Sequence, residues 1–312
     1  MNEPVSLARP RALQPGDRVA VLCVSSPVEP DALAAGLDAL RFAGLDPVSY
    51  PSAHDPGTMR SYLAGDDAMR AGDLRSALTD PGIAGILFAR GGSGAQRTLE
   101  AMDWDGLDPK TGMPPKVLAG YSDVTAVLEA VAVRLGWASV FGPMVAIREG
   151  AAHYSFGSLL RTLMRPTRAT VIQYPQAVTL TSGLARGVTT GGTLCLLASS
   201  LGTGTSRPAH GGLLLLEDVN EEDYRIDRML TQLRRSGYLD GVAGIVAGTF
   251  TGCGPPEAVQ DILVERLGFL EVPMIAWANV GHGGLFQAFP YGIAAELDAD
   301  AATLRLLDPP LR

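Results

Sequence analysis

Lysine is nearly missing from this 312-residue chain: Lys110 and Lys116 are the only two, so the positive charge is almost all arginine. Acidic residues outnumber basic ones, giving a formal net charge of -8 and a pI of about 5.0. Nucleic acid and anionic membrane surfaces select for basic patches, so neither is an expected partner. Cysteine is scarce as well. Cys23, Cys195 and Cys253 show no C-x-x-C spacing. An odd number without paired spacing reads as a reduced, cytoplasmic chain with neither structural zinc nor disulfides. No window approaches the ~20 apolar residues of a membrane span. Met1 to Gln14 lacks the apolar core of a signal peptide. Several catalytic motifs are missing too. Without H-E-x-x-H or a His/Cys cluster, no metal site is expected. The G-x-S-x-G elbow of ordinary α/β-hydrolases is absent. The S-x-x-K pattern fails at Ser122, where Thr125 stands in the lysine position.

What is present describes a globular chain. Hydrophobic residues make up 46%, and the length suits two domains or one large one. Arg18 to Ser25 and Gly85 to Ala89 are apolar on both faces, as central strands of a parallel sheet are. Helix patterns over 31–43, 62–78 and 95–102 alternate with them. This alternation predicts an α/β fold whose N-terminal domain is a doubly wound parallel sheet of the flavodoxin or Rossmann type. After about residue 148 the texture changes. Residues 153–175 read as a connection with one short helix around 155–164. Thr189 to Gly192 read as the opening of a helix over 193–201. Leu213 to Leu216 form a buried strand delivering Glu217 and Asp218, and a charged amphipathic helix follows from Glu221 to Gly237. Residues 292–297 and 301–307 alternate across a turn, as a β-hairpin does. The expected division is 1–150, a linker at 151–188, and 189–312.

The chain is organised around Val117 to Glu129, an apolar strand that turns at Gly120-Tyr121-Ser122-Asp123 and leaves as a helix. Such a turn lifts Ser122 to the lip of the sheet. A hydroxyl there can be a nucleophile beside backbone N–H groups, or it can be a plain helix N-cap. Arg90-Gly-Gly-Ser-Gly-Ala95 is a second strand-to-helix turn. It is either a tight turn or a source of N–H donors at the sheet's C-terminal edge. It lacks the spacing of a nucleotide loop. Of the four histidines, His54, His153 and His210 sit in polar, irregular surroundings. His282 lies between Gly281 and Gly283-Gly284, where the backbone leaves a side chain uncovered. Glu217 is a carboxylate at the end of four leucines. It is either a solvated strand end or a helix cap, or it is the acid that orients an imidazole.

These residues closely resemble the LD-carboxypeptidase family of serine peptidases, which includes muramoyl-tetrapeptide carboxypeptidases and microcin C self-immunity peptidases. The resemblance runs through Tyr62 to Asp66, Arg90 to Ala95, Gly120 to Thr125, Gly142 to Met144, Gly191 to Leu194, Leu216 to Val219, Tyr224 to Leu230 and Asn279 to Gly283. It implies a Ser-Glu-His triad of Ser122, Glu217 and His282. It also implies an oxyanion hole from the backbone N–H groups of Gly92 and Asp123. A smaller β-rich α/β C-terminal domain, a homodimer and no cofactor are implied as well. The expected reaction releases D-alanine from murein tetrapeptide, a small peptide substrate, in cell-wall recycling. Two alternatives stand beside it. One is a self-immunity peptidase cleaving a microcin C-like aminoacyl-nucleotide, against which residues 141–191 show no insertion and no Trp. The other is a non-catalytic ligand-binding α/β protein. Two positions depart from the family pattern: Ser93, where Tyr is usual, and Thr193, where Asn is usual.

Overall fold

The computed structural model describes residues 5–57, 60–107, 113–146, 151–168 and 170–312, without the side chains of 151–154 and 168. Lys110 and the side chain of His153 lie outside the described residues.

The first half winds as β1 (Arg18–Leu22), α1 (Pro30–Phe42), β2 (Asp46–Ser49), α2 (Asp67–Thr79), β3 (Ile83–Phe88), α3 (Ala95–Ala101), β4 (Val117–Gly120), α4 (Thr125–Leu135) and β5 (Ser139–Phe141). These five strands are parallel and lie in the order β2-β1-β3-β4-β5. That is the flavodoxin-like order, which reverses direction between β1 and β3 and opens a crevice at the strands' C-terminal ends. The doubly wound expectation therefore holds. α2 starts where Asp66 accepts a bond from the Met69 N–H, an N-cap that sets its first turn later than the pattern suggested.

The second half contains α5 (Ala151–Met164), β6 (Val171–Gln173), β7 (Val178–Thr181), β8 (Leu184–Thr193), α6 (Leu194–Ser199), β9 (Gly212–Val219), α7 (Asp223–Arg235), β10 (Gly244–Thr251), α8 (Pro256–Leu267), β11 (Met274–Ala276), β12 (Phe289–Tyr291), β13 (Ala294–Asp298) and β14 (Thr303–Leu306). Its sheet runs β6-β14-β13-β8-β9-β10-β11-β7. The four inner strands from β8 to β11 are parallel and the flanking ones antiparallel. The chain is thus mixed α/β, with a parallel core and a second, β-rich sheet.

Two local expectations change, and one strand changes sheets. Thr189 to Thr193 is the end of β8, not a helix opening, because each residue is held in register with β9 from Leu213 to Glu217. Residues 171–173 and 178–181 are strands, supplied with partners by β14 and β11. β12 crosses to the first sheet and pairs antiparallel with β5.

The alternation along β9 explains how the halves join. Leu214 and Leu216 face the helices α6, α7 and α8. Leu213 and Leu215 point the other way, into a core shared with Phe88, Leu118, Val124 and Phe141 of the first sheet. Strand side chains alternate with period two. Glu217 therefore continues the face that looks toward the first half, and Asp218 faces α6.

Candidate active site

Ser122 lies in the single turn between β4 and α4, with φ at 60°. Only a few per cent of non-glycine residues take positive φ, and such positions cost about 1–3 kcal/mol, held by surrounding structure. The turn is wedged in place. A Cβ on Gly91 would come within 3.1 Å of the Ser122 Cβ, and one on Gly120 within 2.9 Å of Phe88 and Val124. The helix-cap reading of Ser122 fails, since neither the turn nor α4 has a side-chain cap. Its hydroxyl instead faces His282 Nε2 at 3.0 Å.

His282 follows β11 and sits on the far wall of the cleft. Its Nδ1 lies 2.8 Å from Glu217 Oε2, and its own backbone N–H donates to the same oxygen at 3.0 Å. The Thr251 hydroxyl donates to the His282 carbonyl. Tyr121 and His282 rings stand 4.8 Å apart, with Phe286 against Tyr121 at the same distance. The imidazole is thus held from three directions. A carboxylate accepts, so Nδ1 carries the proton and Nε2 is left to accept from Ser122.

Glu217 is fully buried. Its other oxygen accepts from the Thr193 hydroxyl at 2.5 Å. Three donors on one carboxylate offset the desolvation that would otherwise exclude it from a core. The approach of the His282 loop depends on Gly281, with φ at 110°, where a Cβ would fall 2.3 Å from Glu217 Oε2. Of the two readings of Glu217, the solvated strand end and cap are overturned, because β9 runs on to Val219.

The loop after β3 completes the near wall. Gly92 has φ at 110°, and a Cβ there would strike Ser26 Oγ at 2.1 Å. That Ser26 hydroxyl accepts from the Ser93 N–H and donates to the Tyr62 carbonyl. Asp123 plays two parts. Its carboxylate accepts from Ser25 Oγ at 2.6 Å and from the Ala95 N–H at 2.8 Å, tying the turn to β1 and α3. Burial raises its pKa above the usual carboxylate range. Its backbone belongs to the Ser122 turn. Between the walls is a cleft of about 790 Å³.

The other sequence candidates lie elsewhere. His54 and His210 are exposed, bonded to Ser49 and to the Asp240 carbonyl. Asp218 faces away from the cleft, accepts from the Cys195 and Val219 N–H groups, and is pushed up to about 6 by burial. The residues the sequence did not disclose are Thr193, visible only as a departure, and the Tyr121 and Phe286 rings. Cross-strand register delivers Thr193 to Glu217.

The sequence pattern of the LD-carboxypeptidase N-terminal domain matches residues 19–142, and that of the C-terminal domain matches 186–297. The chain belongs to the LD-carboxypeptidase family. A Streptomyces coelicolor protein named as a candidate carboxypeptidase is 48% identical over 98% of both chains. A murein tetrapeptide carboxypeptidase of Pseudomonas aeruginosa is 32% identical over 92% of this chain and 95% of its own. Among solved structures, the microcin C7 self-immunity protein bound to glutamyl sulfamoyl guanosine superposes with a TM-score of 0.86. That likeness covers 97% of this chain and 99% of that one at 20% identity, and it shows a shared fold. The chain is thus a hydrolase, an LD-carboxypeptidase.

Proposed function

We propose that the chain is a serine carboxypeptidase that cuts an L–D amide bond, releasing D-alanine from murein tetrapeptide. The observation that carries this reading is the hydrogen-bonded chain from Ser122 to His282 to Glu217, 3.0 and 2.8 Å long, across the cleft. In this reading Ser122 Oγ attacks the scissile carbonyl while His282 Nε2 takes its proton. Glu217 holds the Nδ1 tautomer and stabilises the imidazolium. The backbone N–H groups of Gly92 and Asp123 receive the tetrahedral oxyanion, where each such donor is worth about 10²–10³ in rate. The imidazolium then protonates the departing D-alanine nitrogen. Water, deprotonated by the same His282, releases the tripeptide from the acyl-enzyme. No cofactor takes part in these steps.

The Pseudomonas relative, a murein tetrapeptide carboxypeptidase, supports this substrate. We also propose a cytoplasmic homodimer in which a first domain, 1–150, carries Ser122 and the C-terminal domain carries the other two triad members. Purified protein incubated with tetrapeptide is expected to yield D-alanine and tripeptide, and the Ser122→Ala variant neither. Absence of D-alanine release by the wild type, with cleavage of an aminoacyl sulfamoyl nucleotide instead, would favour the self-immunity reading.

A further inference from the structure

Arg90 is a group in the cleft that the proposed chemistry leaves unused. It is the last residue before Gly91-Gly92 and lines the same cleft as Ser122 and His282. Gly91 touches the nucleophile closely enough that a Cβ on it would lie 3.3 Å from Ser122 Oγ. Arg90 is therefore the chain neighbour of the residue packed on the Ser122 hydroxyl, and both line one cleft. Arg90 is half-buried, and its Nη1 donates to the Pro27 carbonyl at 2.5 Å. That bond anchors one arm of the fork. Among the described residues Arg90 makes no ion pair, and it is the only arginine or lysine of the cleft lining. Among the described residues of the cleft lining, the acidic side chain is Glu29, exposed at the N-terminus of α1.

An anchored guanidinium with no carboxylate partner is a receptor for one, because its planar fork matches carboxylate geometry. A peptidase that removes a single terminal residue has to tell the last amide bond from internal ones. The feature that separates them is the free α-carboxylate, which shares an α-carbon with the scissile nitrogen. We propose that Arg90 binds the α-carboxylate of the departing C-terminal residue and so restricts this cleft to exopeptidase cleavage. The proposal rests on the carboxypeptidase reading above. It makes Arg90 a specificity determinant: it positions the scissile bond over Ser122 and takes no proton.

The test compares murein tetrapeptide with the same peptide ending in D-alaninamide, which changes only the terminal group. kcat/KM is measured for the wild type, Arg90→Gln and Arg90→Lys. The wild type is expected to favour the free acid by about 10²-fold, the scale for leaving a charged partner unmatched. Arg90→Gln loses about that factor on the acid and none on the amide, so the ratio falls toward unity. Arg90→Lys keeps part of the ratio, since it restores charge without the fork. Fluorophosphonate labelling of Ser122 stays at the wild-type rate in both variants. An Arg90→Gln variant that keeps the acid-over-amide ratio, or loses both substrates equally, overturns the proposal. Wild-type protein that turns over neither peptide overturns the carboxypeptidase reading and this inference with it. Wild-type turnover with a ratio indifferent to Arg90 overturns the inference alone.

Discussion

Ser122, in the turn after β4, and Glu217, on β9, are joined through His282, yet they are held in opposite ways. Ser122 is fixed by backbone geometry: a positive φ, with glycines on β4 and on the β3 loop letting chain approach chain. Little touches its hydroxyl beyond His282. Glu217 is fixed by hydrogen bonds in a fully buried position, with donors from His282 and Thr193. The first half supplies a strained but accessible group, and the second half a satisfied, desolvated one. A nucleophile has to meet substrate, while an orienting acid has to be kept from water and from alternative partners. The division suits the two roles proposed for these residues.

Removing the accessible group has the largest expected effect. Ser122→Ala is expected to lower kcat by about 10⁴–10⁶ while leaving the fold intact. Ser122→Gly is equally inactive but relieves the positive φ, and its thermal midpoint should rise by the equivalent of about 1 kcal/mol. An unchanged or lower midpoint would mean that the turn is not strained. On the buried side, Gly281→Ala places a Cβ into Glu217 and forces a residue at φ 110°. It should cost about 10²-fold in kcat and about 1–3 kcal/mol in denaturant unfolding. Activity and stability thus part company on the Ser122 side and fall together on the Glu217 side.

Thr193→Val should cost about tenfold in kcat, because one donor to the buried carboxylate is lost. Thr193→Asn, the usual residue of the family resembled in the sequence, keeps a donor and is expected to recover most of that loss. Equal activity of all three would show that Glu217 does not need this bond.

The smallest effect concerns the seam between the halves. Glu129 on α4 is buried against the Tyr238 hydroxyl, and burial pushes it up to about 8 from the ordinary 4.5. Between those values the folded state binds more protons than the unfolded chain. Stability from this group is therefore full below about pH 4.5 and is lost as pH rises through about 8. Glu129→Gln should flatten the decline in thermal midpoint over that window. A slope identical to the wild type would remove Glu129 as its cause.

These contrasts also explain what could be read from the residues alone. β1, β3 and β4 were legible because strands buried on both faces are continuous apolar runs. The Ser122 turn and the glycines around His282 were legible as places where a backbone must bend or come close. The end of β8 was not, because Thr189 to Thr193 has no apolar run and takes its strand form from pairing with β9. β12 reads as a short apolar segment, and nothing local says that it joins the other sheet. Thr193 meets Glu217 through register between strands, which spacing along the chain does not encode. Arg90 was visible as part of a motif, but that no described residue forms an ion pair with it is a property of the folded cleft.

The central claim is that Ser122 and His282, 160 positions apart, act as one unit across the two sheets. The most direct test is kcat on tetrapeptide for Ser122→Ala, His282→Ala and the double variant, each over the same uncatalysed background. The double variant is expected to be no slower than either single one, within about threefold, as groups acting in concert behave. Losses that multiply in the double variant would contradict it, because the two residues would then contribute independently.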